Sequence, residues 1–332
     1  AVGTRAGEAV TTGTNNTLLG GLAGDALTDA DFNTAVGVNA LTADTLGSRS
    51  TAVGWGALQA QNFTTATDVY NVAVGNLAGT AITTGTQNTL IGGLTGDALT
   101  TGALNVAVGY GALTSDDLGS KSVAIGHTTL ANQNYATATD SFNTAVGHSA
   151  GSAVTTGVEN TILGGLAGDA LTIGYQNVVN GFQALSAETT GSRNVAIGIN
   201  ALNASHMGGR TSVTSYNVAV GALAGAAVTT GIQNVLIGGL AGDALTDADH
   251  NVALGTNALG TDVRGSRSVA IGHGTLFAQN FTTDTNSYNT AVGYQAGTAV
   301  TTGIQNVLIG GLTGDAITDA DFNTAVGHGS LS

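Results

Sequence analysis

Apolar and polar positions alternate in a short block that returns along the whole chain: Asn, then Thr or Val, then Ala or Leu, then Val, Ile or Leu, then Gly. Asparagine opens the block at Asn16, Asn33, Asn71, Asn88, Asn105, Asn143, Asn160, Asn177, Asn194, Asn217, Asn234, Asn251, Asn289, Asn306 and Asn323, and serine opens it at Ser50, Ser122 and Ser268. Position five is glycine in every copy, from Gly20 and Gly37 onward, and position eight is small, as in Ala23 and Ala40. Alternation at a period of two predicts a strand in each block, and the absence of any helical period predicts an all-β chain.

Most openers are 17 residues apart, and a longer spacing of 21 or 23 recurs every fourth unit, so four units make a super-repeat of about 72 residues. A 17-residue unit is too short to bury a core alone. Stacked on its neighbours it becomes one coil of a parallel β-solenoid, or β-roll, of about 18 coils. No linker or compositional break interrupts the pattern, so residues 1–332 read as a single continuous array. The chain opens in the middle of a motif and is expected to be a segment of a longer fibrous protein.

Roles follow from this register. The branched aliphatics at position four (Val36, Val53, Ile91, Ile125, Ile197 and Ile271) are expected to point into the core, with position two on the same face. Opener asparagines such as Asn16 and Asn33 should stack into an axial amide ladder. Asn180 interrupts the position-four column, which predicts a buried, hydrogen-bonded amide or a local distortion. The small residues at position eight, with the modest ones at position three, suggest a smooth, weakly polar face on which three copies pack as a homotrimer. Close approach of chains would also explain the glycine at position five.

Composition narrows the function. Charged residues are only 8% of the chain, and 7 Lys plus Arg against 21 Asp plus Glu give a net charge of −14. Such a balance lacks the basic clusters that nucleic acid or an anionic membrane surface requires. With no cysteine, disulfides and thiolate metal sites are excluded, and no apolar run approaches a membrane span. No Ser, His and acid show the spacing of a catalytic triad, and the glycine runs do not sit between a strand and a helix. The chain reads as a non-enzyme.

The blocks Ser122-Val-Ala-Ile-Gly126, Asn194-Val-Ala-Ile-Gly198 and Ser268-Val-Ala-Ile-Gly272, each followed three residues later by a small residue, resemble the head repeats of trimeric autotransporter adhesins. The longer Asn289-Thr-Ala-Val-Gly-Tyr-Gln-Ala296 is similar to repeats of phage tail-fibre shafts. The resemblance implies a left-handed parallel β-roll with three chains side by side, an extracellular, cell-surface or virion location, and a role as a structural shaft or adhesin head. The unit here is longer than the usual adhesin-head unit.

Four groups of residues carry candidate chemistry. Asp29-x-Asp31-x-Asn33 recurs as Asp247-x-Asp249-x-Asn251 and Asp319-x-Asp321-x-Asn323, an oxygen-rich turn that could hold calcium or could be a solvated turn. Asp25, Asp97, Asp169, Asp243 and Asp315 recur once per super-repeat and are expected to cap backbone donors. His127 and His148 should stack in adjacent coils, about 4.8 Å apart. The fourth unit of each set carries extra residues with aromatics, Phe63, Tyr135 and Phe281, beside amides; the third extension has His206-Met207 instead. Those aromatics could bind a surface glycan or receptor, cover a coil edge or contact another chain. Arg49, Lys121, Arg193 and Arg267 follow Asp44, Asp116, Glu188 and Asp262 by five residues and are expected to pair with them at the surface. Ice binding is a weaker alternative, because the Thr-Thr-Gly turns recur only once in four coils.

Overall fold

A computed structural model describes residues 1–207 and 213–332. They form two compact units, residues 1–160 and 161–332. Among the described residues there is no helix, and every regular element is a strand of two or three residues. In the first unit eight three-residue strands stack parallel and in register, beginning with Thr17↔Thr34, Leu18↔Ala35 and Leu19↔Val36 and ending with Val123↔Thr144, Ala124↔Ala145 and Ile125↔Val146. In the second, ten strands stack in the same way, from Thr161↔Val178 to Val307↔Thr324. The chain is therefore a parallel β-solenoid of about 18 coils, with the strand at positions two to four of each repeat.

The strand faces the opposite way from the expectation. Position three is the buried residue in every coil: Ala35, Ala52, Ala73, Leu90, Ala107 and Ala124 are all inaccessible to solvent. Positions two and four are half-buried or exposed throughout; Ile125 retains 37% of its surface and Ile197 is half-buried. The interior of a 17-residue coil is narrow, so alanine fits the inward position and the branched residues line the outside of the sheet. Asn180 is neither a buried amide nor a distortion, because its side chain is exposed on that outer face and its strand pairs in register with both neighbours.

Position eight is buried as well, including Ala23, Ala40, Ala57 and Ala78, and Thr95 turns its hydroxyl to donate to the Gly109 carbonyl at 2.6 Å. Positions three and eight thus fill a thin core and present no smooth face to another chain. Position-five glycine also answers to the chain's own next coil: Gly37 has φ +135°, and a Cβ there would lie 2.4 Å from the Gly54 carbonyl oxygen. The opener ladder is present. The Asn16 Oδ1 accepts from the Asn33 backbone N–H at 2.9 Å, the Asn33 Oδ1 accepts from that of Ser50 at 2.8 Å, and the Asn33 Nδ2 donates to the Gly47 carbonyl at 2.9 Å.

The largest core side chain alternates between two places. In the first and second units of each set, glycine at position nine accompanies an aliphatic at position twelve, as with Gly79 and Ile82 or Gly96 and Leu99. In the third and fourth, leucine moves to position nine, as with Leu41 and Leu58, and position twelve becomes polar. That exchange creates the buried sites described next.

Candidate functional site

Inside the third and fourth coils of each set, position twelve holds an acid and its partner one coil on. Asp44 and Gln61 are both fully buried, and the Gln61 Nε2 donates to the Asp44 Oδ2 at 2.6 Å. The Asp44 Oδ1 accepts from the backbone N–H groups of Gly47 and Phe63, each at 3.0 Å. Gln61 also donates to the Ser50 Oγ and accepts from the Asn71 Nδ2. The arrangement recurs at Asp116 with Gln133 (2.6 Å) and Asp262 with Gln279 (2.5 Å). Burial pushes all three carboxyls up, that of Asp116 to about 6. These acids do not pair with the surface cations, which reach the following coil instead: Arg49 meets Asp68 at 2.9 Å and Lys121 meets Asp140 at 2.6 Å. Arg193 donates to the Gln176 Oε1 and the Tyr216 hydroxyl, and Arg267 to the Asn286 Oδ1.

The extension aromatics belong to these interior clusters. Phe63, Tyr135 and Phe281 retain only 7%, 5% and 6% of their surface. The Tyr135 hydroxyl donates to the Gly157 carbonyl at 2.8 Å and accepts from the Asn143 Nδ2 at 3.2 Å. Met207, also buried, takes the equivalent place in the third extension. The rings lock the longer loop onto the coil and offer no face to a sugar, so the alternative placing a glycan on them is corrected.

The acidic turns do not converge. Asn33 is committed to the buried ladder, while the Asp29 Oδ1 accepts from the hydroxyls of Thr11 and Thr12 and the Asp31 Oδ1 from the N–H and hydroxyl of Thr14. Both carboxyls lie below the usual range, Asp29 chiefly through the Thr12 hydroxyl and Asp31 chiefly through the Thr14 N–H. Asp249 and Asp321 likewise accept from the N–H groups of Ile232 and Ile304, each at 2.8 Å. Asp247 lies 3.5 Å from Arg264 and accepts from the Thr246 hydroxyl, and Asp319 accepts from that of Thr318. Of the once-per-set acids, Asp97 accepts from the Thr114 hydroxyl at 2.5 Å, whereas Asp25 has one buried oxygen without a hydrogen-bond partner. Backbone capping is not the role seen at either. Among the described residues, no group of three or more ionisable side chains is placed to hold a metal.

What the coils do bring together is an outer apolar face. Positions two and four form two columns of Val, Thr, Ile and Leu, broken at position four only by Asn180. One border is the residue before the opener, including Phe32, Tyr70, Leu104, Phe142, Tyr216 and Tyr288; the other is the residue after the position-five glycine, including Val38, Trp55, Tyr110, Phe182 and Tyr294. Among the described residues, every exposed large apolar residue lies in these four columns except Leu223, Phe277 and Leu331. Ladders stiffen both borders. The rings of Tyr110 and His127 stack at 5.5 Å, and those of His127 and His148 at 5.3 Å with 5° between planes. The Arg49 guanidinium lies 4.9 Å from the Phe32 ring centre and 5.8 Å from that of Tyr70. Left-handed backbone precedes all 18 openers without a single glycine, with φ from 49° at Phe142 to 66° at Arg49, a turn that residue types alone do not announce. No family model, curated protein or solved structure matches the chain.

Proposed function

We propose that the chain is a structural segment of an extracellular or virion fibre, a shaft or adhesin head, whose copies associate as a homotrimer through the outer apolar face. The observation that carries this reading is the concentration of exposed large apolar residues, among the described residues, in the four columns of that face within each unit. At an interstrand spacing of about 4.8 Å, ten coils in residues 161–332 extend that strip for roughly 43 Å, well beyond the scattered apolar residues of an ordinary surface. Branched side chains on the outer face of a parallel sheet suit side-by-side packing, and a stack of narrow coils suits reach better than catalysis. The resemblance to adhesin-head and tail-fibre repeats favours the same role.

Immunogold labelling of intact source cells or particles with an antibody to this chain tests the location. Label on surface appendages or particle fibres is expected; label only inside cells after permeabilisation overturns the proposal.

A further inference from the structure

The super-repeats serve as one another's controls, and in one place the fourth set departs from the others at several positions together. The residue at position ten of the fourth unit is Gln59, Ala131 and Asn203 in the earlier sets, but Phe277 in the last. One coil before it, where the others have Thr42, Thr114 and Ser186, stands Gly260. A Cβ at Gly260 would lie 3.0 Å from the Phe277 ring, so loss of that side chain makes room for the aromatic. At position seven of the following coil, where the others have Leu77, Ser149 and Leu223, stands Gln295.

These changes converge on a concavity lined by Asn257, His273, Gly274, Phe277, Gln295 and Thr298. Gly274 stands at position seven, with Asn257 and Gln295 at the same position in the coils before and after it. At the matching glycine of the first set, Gly56, the space a Cβ would take lies only 2.9 Å from Leu77, so that side chain closes over the spot; here Gln295 stands back at 3.4 Å. Phe277 keeps 40% of its surface, outside the four apolar columns. Its carbonyl accepts from the Thr261 hydroxyl at 2.7 Å, which holds the backbone beneath the ring, and His273 is fixed by stacking on Tyr294 at 5.6 Å.

We propose that this concavity binds a terminal ring of a neutral glycan. An exposed aromatic ring takes the C–H face of a pyranose, and two amides, a hydroxyl and an imidazole around it match vicinal sugar hydroxyls. No lining residue is an acid, lysine or arginine, and a chain of net charge −14 disfavours an acidic glycan. Asn257 and Gln295 line the concavity, whereas Gln61 and Gln279 spend their amides inside the coils. His273 stands in a border column of the strip assigned to self-association, but Asn257, Phe277, Gln295 and Thr298 lie outside its four columns, so substitutions at Phe277 and Gln295 test this site without altering the strip.

The test uses the full chain and a panel of immobilised neutral oligosaccharides ending in glucose, galactose, mannose or N-acetylglucosamine, with sialylated and sulfated oligosaccharides alongside. Binding to at least one neutral member is expected, weakened about tenfold or more by Phe277→Gln and by Gln295→Leu. Both variants install the residues already present at Gln59 and Leu77, so melting temperature and molecular mass should not change. Gly260→Thr, which crowds the ring from below, should weaken the same binding. The proposal is overturned if no neutral member binds at millimolar concentration, if only acidic members bind, or if binding survives the Phe277→Gln, Gln295→Leu double variant.

Discussion

Glu188 and Ser205 meet inside the solenoid, the serine hydroxyl donating to the Glu188 Oε2 at 2.7 Å, where the other sets place aspartate against glutamine. The longer acid compensates the shorter partner. Glu188 also accepts from the N–H groups of Thr189, Thr190 and Gly191, so the buried carboxyl group keeps its donors.

The exchange predicts a coupled effect. Glu188→Asp alone shortens the reach to Ser205 and should cost about 1–3 kcal/mol through an unsatisfied buried group. Adding Ser205→Gln recreates the pair seen at Asp44 and Gln61 and should recover most of the loss. Chemical denaturation of the two single variants and the double variant checks this, and simple additivity would contradict it.

The buried acids also set a pH dependence. Burial raises the carboxyls of Asp44, Asp116 and Asp262 above their ordinary value of 3.8, Asp116 to about 6. A group that binds its proton more tightly when folded contributes stability that is complete below its unfolded pKa and is lost as pH rises through the folded one. Melting temperature should therefore rise as pH falls from 7 to 4.5, and Asp116→Asn should flatten the slope. The depressed carboxyls of Asp29 and Asp31 act oppositely, but only as pH falls below about 4. A melting temperature that drops steadily from pH 7 to 4.5 would refute the assignment.

Strand phase predicts a contrast between neighbours. Ala124→Asp buries an unpaired charge between Ala107 and Ala145 and should cost several kcal/mol. Ile125→Asp places its charge on the outer face and should cost the isolated chain no more than about 1 kcal/mol. Thermal melts of the two variants at low protein concentration compare them.

Gly37 and Gly21 differ in what a side chain would meet: Gly37, at φ +135°, has the next coil's carbonyl against it, whereas Gly21 has open space. Gly37→Ala should cost about 3 kcal/mol or more, combining strain with a backbone clash. Gly21→Ala should cost less than about 0.5 kcal/mol. Equal losses in thermal melts would contradict the steric account of position five.

Period, strand position and fold class were legible because the Asn-x-x-x-Gly block recurs at near-constant spacing. The phase was not. In Thr34-Ala35-Val36 the flanking residues look more hydrophobic than alanine, yet only alanine fits the narrow interior. The acid–amide pairs were legible in principle, since Asp44 and Gln61 stand 17 residues apart, one full coil; reading each acid against its nearest cation in sequence hid them. Phe63 looked like a surface feature because it lies in an insertion, but the insertion folds back and its ring is buried.

Light scattering of the folded chain tests the central claim, that the outer apolar face packs copies of the chain together. The account predicts a mass about three times 32.3 kDa, falling to that of one chain when charges are placed on the face by Ile125→Asp together with Ile271→Asp. A mass near 32.3 kDa for the unaltered chain at every concentration, or a trimer that survives both substitutions, would contradict it.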